Sequence, residues 1–369
     1  MVSVIRIHGN WGIDMVNKLK SHTPPFEKLL IWQDNYQGFD NWSNEVIGFW
    51  DVKKIYESGN LERIILTPFY IAENVIDEVI ALGIPRDMIF IYEGIENGEH
   101  IFKQLDEFVF LPYLEFHTVD HCNLNCKGCA AFSPLCKEPV YVNVEEFKKD
   151  IKRLKELVPF IRTIQIMGGE PTLNPELGEF VKATRSAYPY SRLRLVTNGT
   201  KLNRLPDELW QIFVENEVVI NLSCYPPIYD KMEEIISLIK LHEGMKEPMI
   251  SQVSLFYPNL STFKQYPFAN TDYCRCYNLR DGKMSSCILS MYGHYFNDYF
   301  NGYLPVDSAL IDIYEKNLTG KQLVNELNKP TDICNYCQNL SWRLNSKFLI
   351  GKTWDRYKKG ESPQKSDWY

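Results

Sequence analysis

His121-Cys122-Asn123-Leu124-Asn125-Cys126-Lys127-Gly128-Cys129 places three cysteines at spacings of three and two intervening residues, directly after the apolar stretch Tyr113 to Val119. Three thiolates this close repel one another unless a cation holds them, and soft sulfur ligands select zinc or iron-sulfur clusters. Three is the informative count. A structural zinc or an electron-transfer cluster wants a fourth cysteine or histidine, whereas a site with one open metal position can bind and activate a small molecule. The alternative is a zinc knuckle completed by His121 or Cys136, which accounts for none of the motifs downstream.

Outward from this loop the chain alternates strands and helices, the pattern of an α/β fold with a parallel sheet. Tyr113 to Val119 is the first strand and delivers the cysteines at its C-terminal end, where barrels and open α/β sheets place their chemistry. Asn143, with Glu146 three residues on, caps a helix to about Leu157. Ile161 to Met167 is a continuously apolar strand ended by Gly168-Gly169-Glu170-Pro171. Two glycines let the backbone turn sharply and approach a ligand, while the proline fixes the exit direction. A helix follows from Pro175 to about Ser186, then a third strand, Arg192 to Val196, and the turn Thr197-Asn198-Gly199-Thr200. In the fourth strand, Val218 to Cys224, period-two alternation puts Asn221 and Ser223 on one face and Cys224 on the other, which assigns Cys224 to packing. Asp230 with Glu233 is expected to cap the next helix, and Met249 to Phe256 forms a fifth strand.

Cys122, Cys126 and Cys129 resemble the C-x3-C-x2-C signature of the radical S-adenosylmethionine (SAM) enzymes, and Gly168 to Pro171 resembles their GGEP motif. The resemblance covers roughly residues 111–243 and, with the cysteines beyond Cys274, extends to about Cys337. It implies a catalytic four-iron four-sulfur cluster on those three thiolates, with SAM chelated at the fourth iron and cleaved to a 5'-deoxyadenosyl radical. It also implies a SAM site made by Gly168, Gly169, Glu170 and Pro171, in which loop oxygens and the glutamate receive the SAM ammonium. Asn198 and Ser223, at the next two strand ends, are the further SAM-contact candidates. The implied architecture is a partial (β/α) TIM-type barrel, since too few strands remain for a closed one. Gly128 departs from the family, which usually carries an aromatic residue there against adenine; Phe132 is the expected substitute.

A second cysteine set follows. Cys274, Cys276 and Cys287 flank the turn Arg280 to Met284, and Cys334 and Cys337 form a C-x2-C pair. Such a hairpin plus a distant pair can wrap one more metal site. It resembles the shortened auxiliary-cluster domains, twitch or SPASM-like, that follow many radical SAM cores. This implies a second four-iron four-sulfur cluster on Cys276, Cys287, Cys334 and Cys337, with Cys274 as alternate or spare. A structural zinc on the same four thiolates is the rival, because tetrahedral S4 serves either metal.

The 369 residues exceed one core of usual size. Three domains are expected: a Rossmann-like N-terminal domain over 1–105, the radical SAM partial barrel over 111–265, and a small cysteine-rich auxiliary-cluster domain over 266–369, with Gly94 to Leu111 as linker. The first turn, Gly9-Asn10-Trp11-Gly12, is not G-x-G-x-x-G and carries bulky Trp11 where a pyrophosphate would approach, so a packing or recognition role is favoured over nucleotide binding. A net charge of -7 argues against a nucleic-acid partner. No apolar run reaches membrane-span length, and no secretory signal is visible. Ten cysteines in such a chain read as metal ligands in a reducing, cytoplasmic setting. The expected activity is hydrogen abstraction from a substrate carbon. A small molecule, a sugar or nucleotide-sugar, is preferred over a peptide modified after translation, because the N-terminal domain does not resemble the winged-helix leader-binding module. An electron donor such as flavodoxin or ferredoxin is implied. The reading from another class is a redox or nucleotide-binding partner that has lost its chemistry; His294 is an outside candidate for acid-base work.

Overall fold

The computed structural model describes residues 1–6, 16–17, 19, 27–32, 46–66, 73–257, 259–261, 276–337 and 352–369. The turn Gly9 to Gly12, most of the helix expected over Ile13 to Lys20, and Cys274 lie outside them. The chain divides into two compact units, Met1–Pro112 and Tyr113–Tyr369.

The first unit is built on β1 (Val2–Arg6), β2 (Leu29–Trp32), β3 (Val46–Ile47), β4 (Leu61–Leu66), β5 (Ile89–Glu96) and β6 (Glu99–Gln104). The sheet order is β3-β2-β1-β4-β5-β6, parallel except for β6. Its strands carry near-continuous apolar runs, with Val4, Ile5, Ile31, Ile64 and Ile65 fully buried, as a sheet covered on both faces requires. The helix Glu73–Ala81 stops at Gly83, whose φ of +82° suits a glycine C-cap. The expected linker is corrected here. Gly94 to Leu111 instead supplies the end of β5, the whole of β6, a short 3-10 turn at Leu105–Glu107 and the start of the next strand.

In the second unit, β7 (Phe110–His117), β8 (Phe160–Met167), β9 (Arg192–Thr197), β10 (Val219–Cys224) and β11 (Met249–Gln252) form the successive strands of an open, parallel barrel-like sheet. Helices Val144–Leu157, Leu177–Ala187, Asp207–Glu215 and Met232–Leu241 connect them. Beyond β11 come β12 (Leu255–Phe256), the hairpin of β13 (Asn278–Arg280) and β14 (Lys283–Ser285), then β15 (Ile311–Asp312) and β16 (Lys352–Thr353). The hairpin turns on Asp281 and Gly282, both at positive φ, as a two-residue primed turn demands. Strand β13 pairs parallel to β7, so among the described residues the sheet runs β11-β10-β9-β8-β7-β13-β14-β15 and does not close. Hydrogen bonding thus continues from the barrel strands into the cysteine-bearing hairpin.

Asn143 caps its helix as expected, accepting from Glu145 N and Glu146 N at 2.9 and 3.0 Å. Asp230 does not. It lies in a 3-10 segment, Pro226–Lys231, that runs straight into the helix without a side-chain cap. Among the described residues, no helix is long and apolar enough to cross a membrane.

Candidate active site

Strand β7 ends at His117, and the chain turns into the cysteine loop beside the exit of β8. Thr118 N donates to Met167 O at 2.9 Å, Gly169 N to Val119 O at 2.9 Å and Glu170 N to His121 O at 3.1 Å, zipping the two loops together. This pairing explains the two glycines. A Cβ on Gly168 would stand 2.3 Å from Val119 O, and one on Gly169 2.1 Å from His121 O. The close approach that the glycines permit is thus to the cysteine loop itself. Gly169→Ala is expected to force the loops apart and to cost about 3 kcal/mol in overpacking and lost hydrogen bonds, read as a lower thermal midpoint.

Within the loop, Asn125 and Gly128 take positive φ and turn the chain so that Cys122, Cys126 and Cys129 line one cavity of about 400 Å³. Burial pushes the Cys126 thiol up to about 12, with the nearby Cys129 adding to the shift. Burial likewise raises Cys122, reinforced by Glu170 and the two other thiols. Among the described residues, no three His, Cys, Asp or Glu side chains converge on a single-ion position. Three thiols without a fourth are what an iron-sulfur group with one open iron position would use. His121 Nδ1 lies 3.2 Å from both the backbone N and O of Val140.

Gly168, Gly169, Glu170, Asn198 and Ser223 line the same cavity, so all the predicted SAM-contact residues but one meet at the cysteines. Pro171 is buried in the 3-10 turn Pro171–Leu173 behind the wall. Glu170 is fully enclosed. Its Oε1 accepts from Thr172 N, Thr172 Oγ1 and Thr197 Oγ1 at 3.1, 2.5 and 2.6 Å, and its Oε2 from Asn198 N at 2.8 Å. Asn198 Nδ2 in turn donates to Asn123 Oδ1 at 2.9 Å and approaches Cys122 Sγ at 3.8 Å, tying the end of β9 to the cysteine loop. Ser223 faces the cavity while Cys224 is buried on the opposite side against Met232, as the alternation predicts.

Tyr225 was not anticipated, although it continues the parity of Asn221 and Ser223. Its hydroxyl is held well above the usual range by burial and by the surrounding Cys126, Cys129, Cys122 and Glu170. Asp120 is a second omission. Buried at 1% exposure, it accepts from His117 Nδ1, Arg280 and Tyr295 at 3.1, 2.8 and 2.6 Å, pinning the loop's start to the β13 hairpin. Burial alone would raise its pKa, but these partners drive it far below the carboxylate range.

The expected adenine contact from Phe132 is corrected. Phe132 is fully buried against Phe296 and Trp368 and forms no part of the cavity wall. Position 128 cannot carry an aromatic ring either, because a Cβ there would meet Asp367 O at 2.7 Å. Tyr225, Phe256 and Tyr257 are the aromatic residues at the cavity. His294 is exposed against Tyr295 and lies outside it.

Of the second cysteine set, Cys287, Cys334 and Cys337 pack around one hydrophobic cluster that includes Leu289, Ile333 and Trp368. Cys276 is exposed and not in that cluster; it lies just before β13. The register Asn278↔Ser285 sets Cys276 and Cys287 two residues beyond the ladder on facing arms.

Comparison with known proteins bears on the cysteine-bearing region. A GTP 3',8-cyclase from Microcystis aeruginosa is 30% identical over 127 residues, 33% of this chain and 38% of that protein. A 7,8-dihydro-6-hydroxymethylpterin dimethyltransferase from Methanocaldococcus jannaschii is 33% identical over 86 residues, 23% of this chain and 17% of that protein. This chain therefore spans well under half the length of these relatives. Among solved structures, BtrN in an open conformation aligns with a TM-score of 0.36 and 16% identity over 63% of this chain and 94% of that one. The family described as Radical SAM superfamily matches residues 117–246. That span contains the three cysteines and the whole Gly168 to Pro171 loop, so residues 117–246 of this chain form a Radical SAM domain.

Proposed function

We propose that the chain is an enzyme that reductively cleaves SAM and uses the resulting radical to abstract hydrogen from a substrate carbon. The observation that carries this reading is the convergence of Cys122, Cys126, Cys129 and the Gly168–Glu170 loop on one cavity. When bound there, a four-iron four-sulfur cluster supplies the electron that breaks the sulfonium S–C5' bond, giving methionine and the 5'-deoxyadenosyl radical. The protein's part is placement. The three thiolates hold the cluster. Backbone oxygens at the Gly168–Gly169 turn receive the SAM ammonium, Ser223 serves the ribose and carboxylate side, and Asn198 fixes the cysteine loop. Glu170 acts through the backbone it anchors, since both of its oxygens already accept from protein donors. Flavodoxin or ferredoxin is the proposed electron source.

The proposed substrate is a polar small molecule of the sugar or nucleotide-sugar class. Supporting this, Gln165, Arg194 and Asn221 share strand faces with the cavity residues Met167, Val196 and Ser223. Next to them, Tyr113 OH lies 2.6 Å from Glu115 Oε2 and 2.7 Å from Gln165 Oε1. For the second cysteine set we propose one auxiliary cluster on Cys276, Cys287, Cys334 and Cys337.

Anaerobic reconstitution with iron and sulfide tests these readings. About four irons per chain and 5'-deoxyadenosine formed from SAM plus reductant support the catalytic site, and about eight irons add the auxiliary cluster. Four irons with bound zinc would make the second site structural. Folded protein that takes up no iron and yields no deoxyadenosine overturns the enzyme reading, and tight binding of a synthetic precursor peptide overturns the substrate class.

A further inference from the structure

The cysteine loop is held from outside the barrel by the far end of the chain. Strand β16 pairs antiparallel with β12, Leu255 opposite Thr353 and Phe256 opposite Lys352, which starts residues 352–369 beside the cavity wall. From there the segment runs along the loop. Lys127 N donates to Asp355 O at 2.9 Å, and Tyr357 N donates to Asn125 O at 2.9 Å. Lys127 Nζ pairs with Asp355 and Glu361 at 2.9 and 2.7 Å. At the far end, Trp368 is fully buried and its Nε1 donates to Cys129 O at 2.9 Å, while the Asp367 carbonyl occupies the space beside Gly128. Between these anchors, Trp354 Nε1 donates to Cys126 Sγ at 3.2 Å. Cys126 is itself buried at 7% exposure, so this bond is shielded from water.

We propose that residues 352–369 form a strap that sets the shape of the cysteine loop, and that Trp354 is a positioning residue whose indole N–H, held on the Cys126 sulfur, raises the reduction potential of the bound cluster. The inference rests on the reading that Cys126 is a cluster ligand. Its physics is charge stabilisation. Reduction adds negative charge to the cluster and its thiolates, and an N–H aimed at a ligand sulfur stabilises the reduced state more than the oxidised one. Enclosure strengthens the effect, because a hydrogen bond in a low-dielectric site is electrostatically stronger than one in water. The strap thus makes the cluster easier for a protein donor to reduce.

The test is an EPR-monitored redox titration of the reconstituted full chain and its Trp354→Phe variant, which keeps an aromatic ring beside Tyr225 and removes only the donor. The variant is expected to keep its iron but to be harder to reduce. At the wild-type midpoint its reduced-to-oxidised ratio should fall about tenfold, equivalent to about 59 mV for a one-electron couple. An unchanged midpoint with wild-type iron content overturns the proposal. A second measurement reads the bond itself: with 15N-indole tryptophan in both proteins, pulsed EPR of the reduced cluster should show a 15N coupling in the wild type that Trp354→Phe lacks while Trp368 remains on Cys129 O, and identical spectra overturn the proposal. Cys126→Ala separates the two layers. If it binds iron as the wild type does, the ligand assignment has failed rather than the strap.

Discussion

With Cys122, Cys126 and Cys129 all replaced by alanine, the chain is expected to lose the iron of this site and to form no more 5'-deoxyadenosine than a protein-free control, while keeping its circular dichroism spectrum. The loss should be complete rather than graded, because a cluster missing its thiolates does not assemble and the remaining cavity residues supply no redox chemistry. The fold should survive for a separate reason. The loop is fixed by backbone bonds to β8 and to the C-terminal segment, from Gly169 N to Val119 O and from Lys127 N to Asp355 O, and none of these involves a thiol. The largest structural debt is the Trp354 N–H left without its sulfur acceptor, about 1–3 kcal/mol. Two of the removed thiols are also raised by burial and by their neighbours, so the apoprotein does not depend on their charge. Iron and deoxyadenosine analysis, with thermal unfolding as control, checks this. Retention of all the iron would move the metal to the second cysteine set and remove the catalytic reading.

What the sequence made legible was whatever depends on local pattern. The C-x3-C-x2-C loop, the strand ends at Met167 and Cys224, the third strand to within one residue of its end at Thr197, and the parity that turns Ser223 inward all follow from spacing and alternation. What stayed hidden depends on partners far along the chain. The two glycines signalled close approach, yet only the fold shows that the approaching group is the backbone of Val119 to His121. Phe132 was expected to stand in for the aromatic residue missing at Gly128, but its ring is drawn into a core with Phe296 and Trp368, while the space beside 128 is taken by Asp367. Gly94 to Leu111 read as a linker because its glycine and charges mask a strand that needs β5 to pair with. Asp120, Arg280 and Tyr295, separated by 160 and 175 residues from the first to each of the others, leave no local signature of the network they form.

Glu170→Ala is expected to destabilise the barrel unit by about 3–5 kcal/mol, as it strands two threonine hydroxyls and two backbone N–H groups in a buried place. For a unit of this size that corresponds to a fall in thermal midpoint of about 10 °C. If the glutamate served only to receive the SAM ammonium, its loss would weaken SAM binding and leave the midpoint unchanged, so unfolding of the SAM-free protein separates the two roles. Glu170→Gln should fall between. Its carbonyl oxygen can accept from Asn198 N while its amide donates to hydroxyls that rotate to accept, leaving chiefly Thr172 N unpaired. The pH dependence gives an independent check. Burial raises the Glu170 pKa above the ordinary 4.5, although the donors from Thr172, Thr197 and Asn198 pull it back. A carboxyl whose folded-state pKa is raised contributes stability that is full below the unfolded value and is lost as pH climbs through the folded one. Wild-type stability should therefore carry a declining component above pH 4.5 that Glu170→Gln, with nothing to titrate there, does not show. Urea unfolding across that range measures it, and identical slopes in the two proteins would mean that the carboxylate is as well solvated by its four donors as by water.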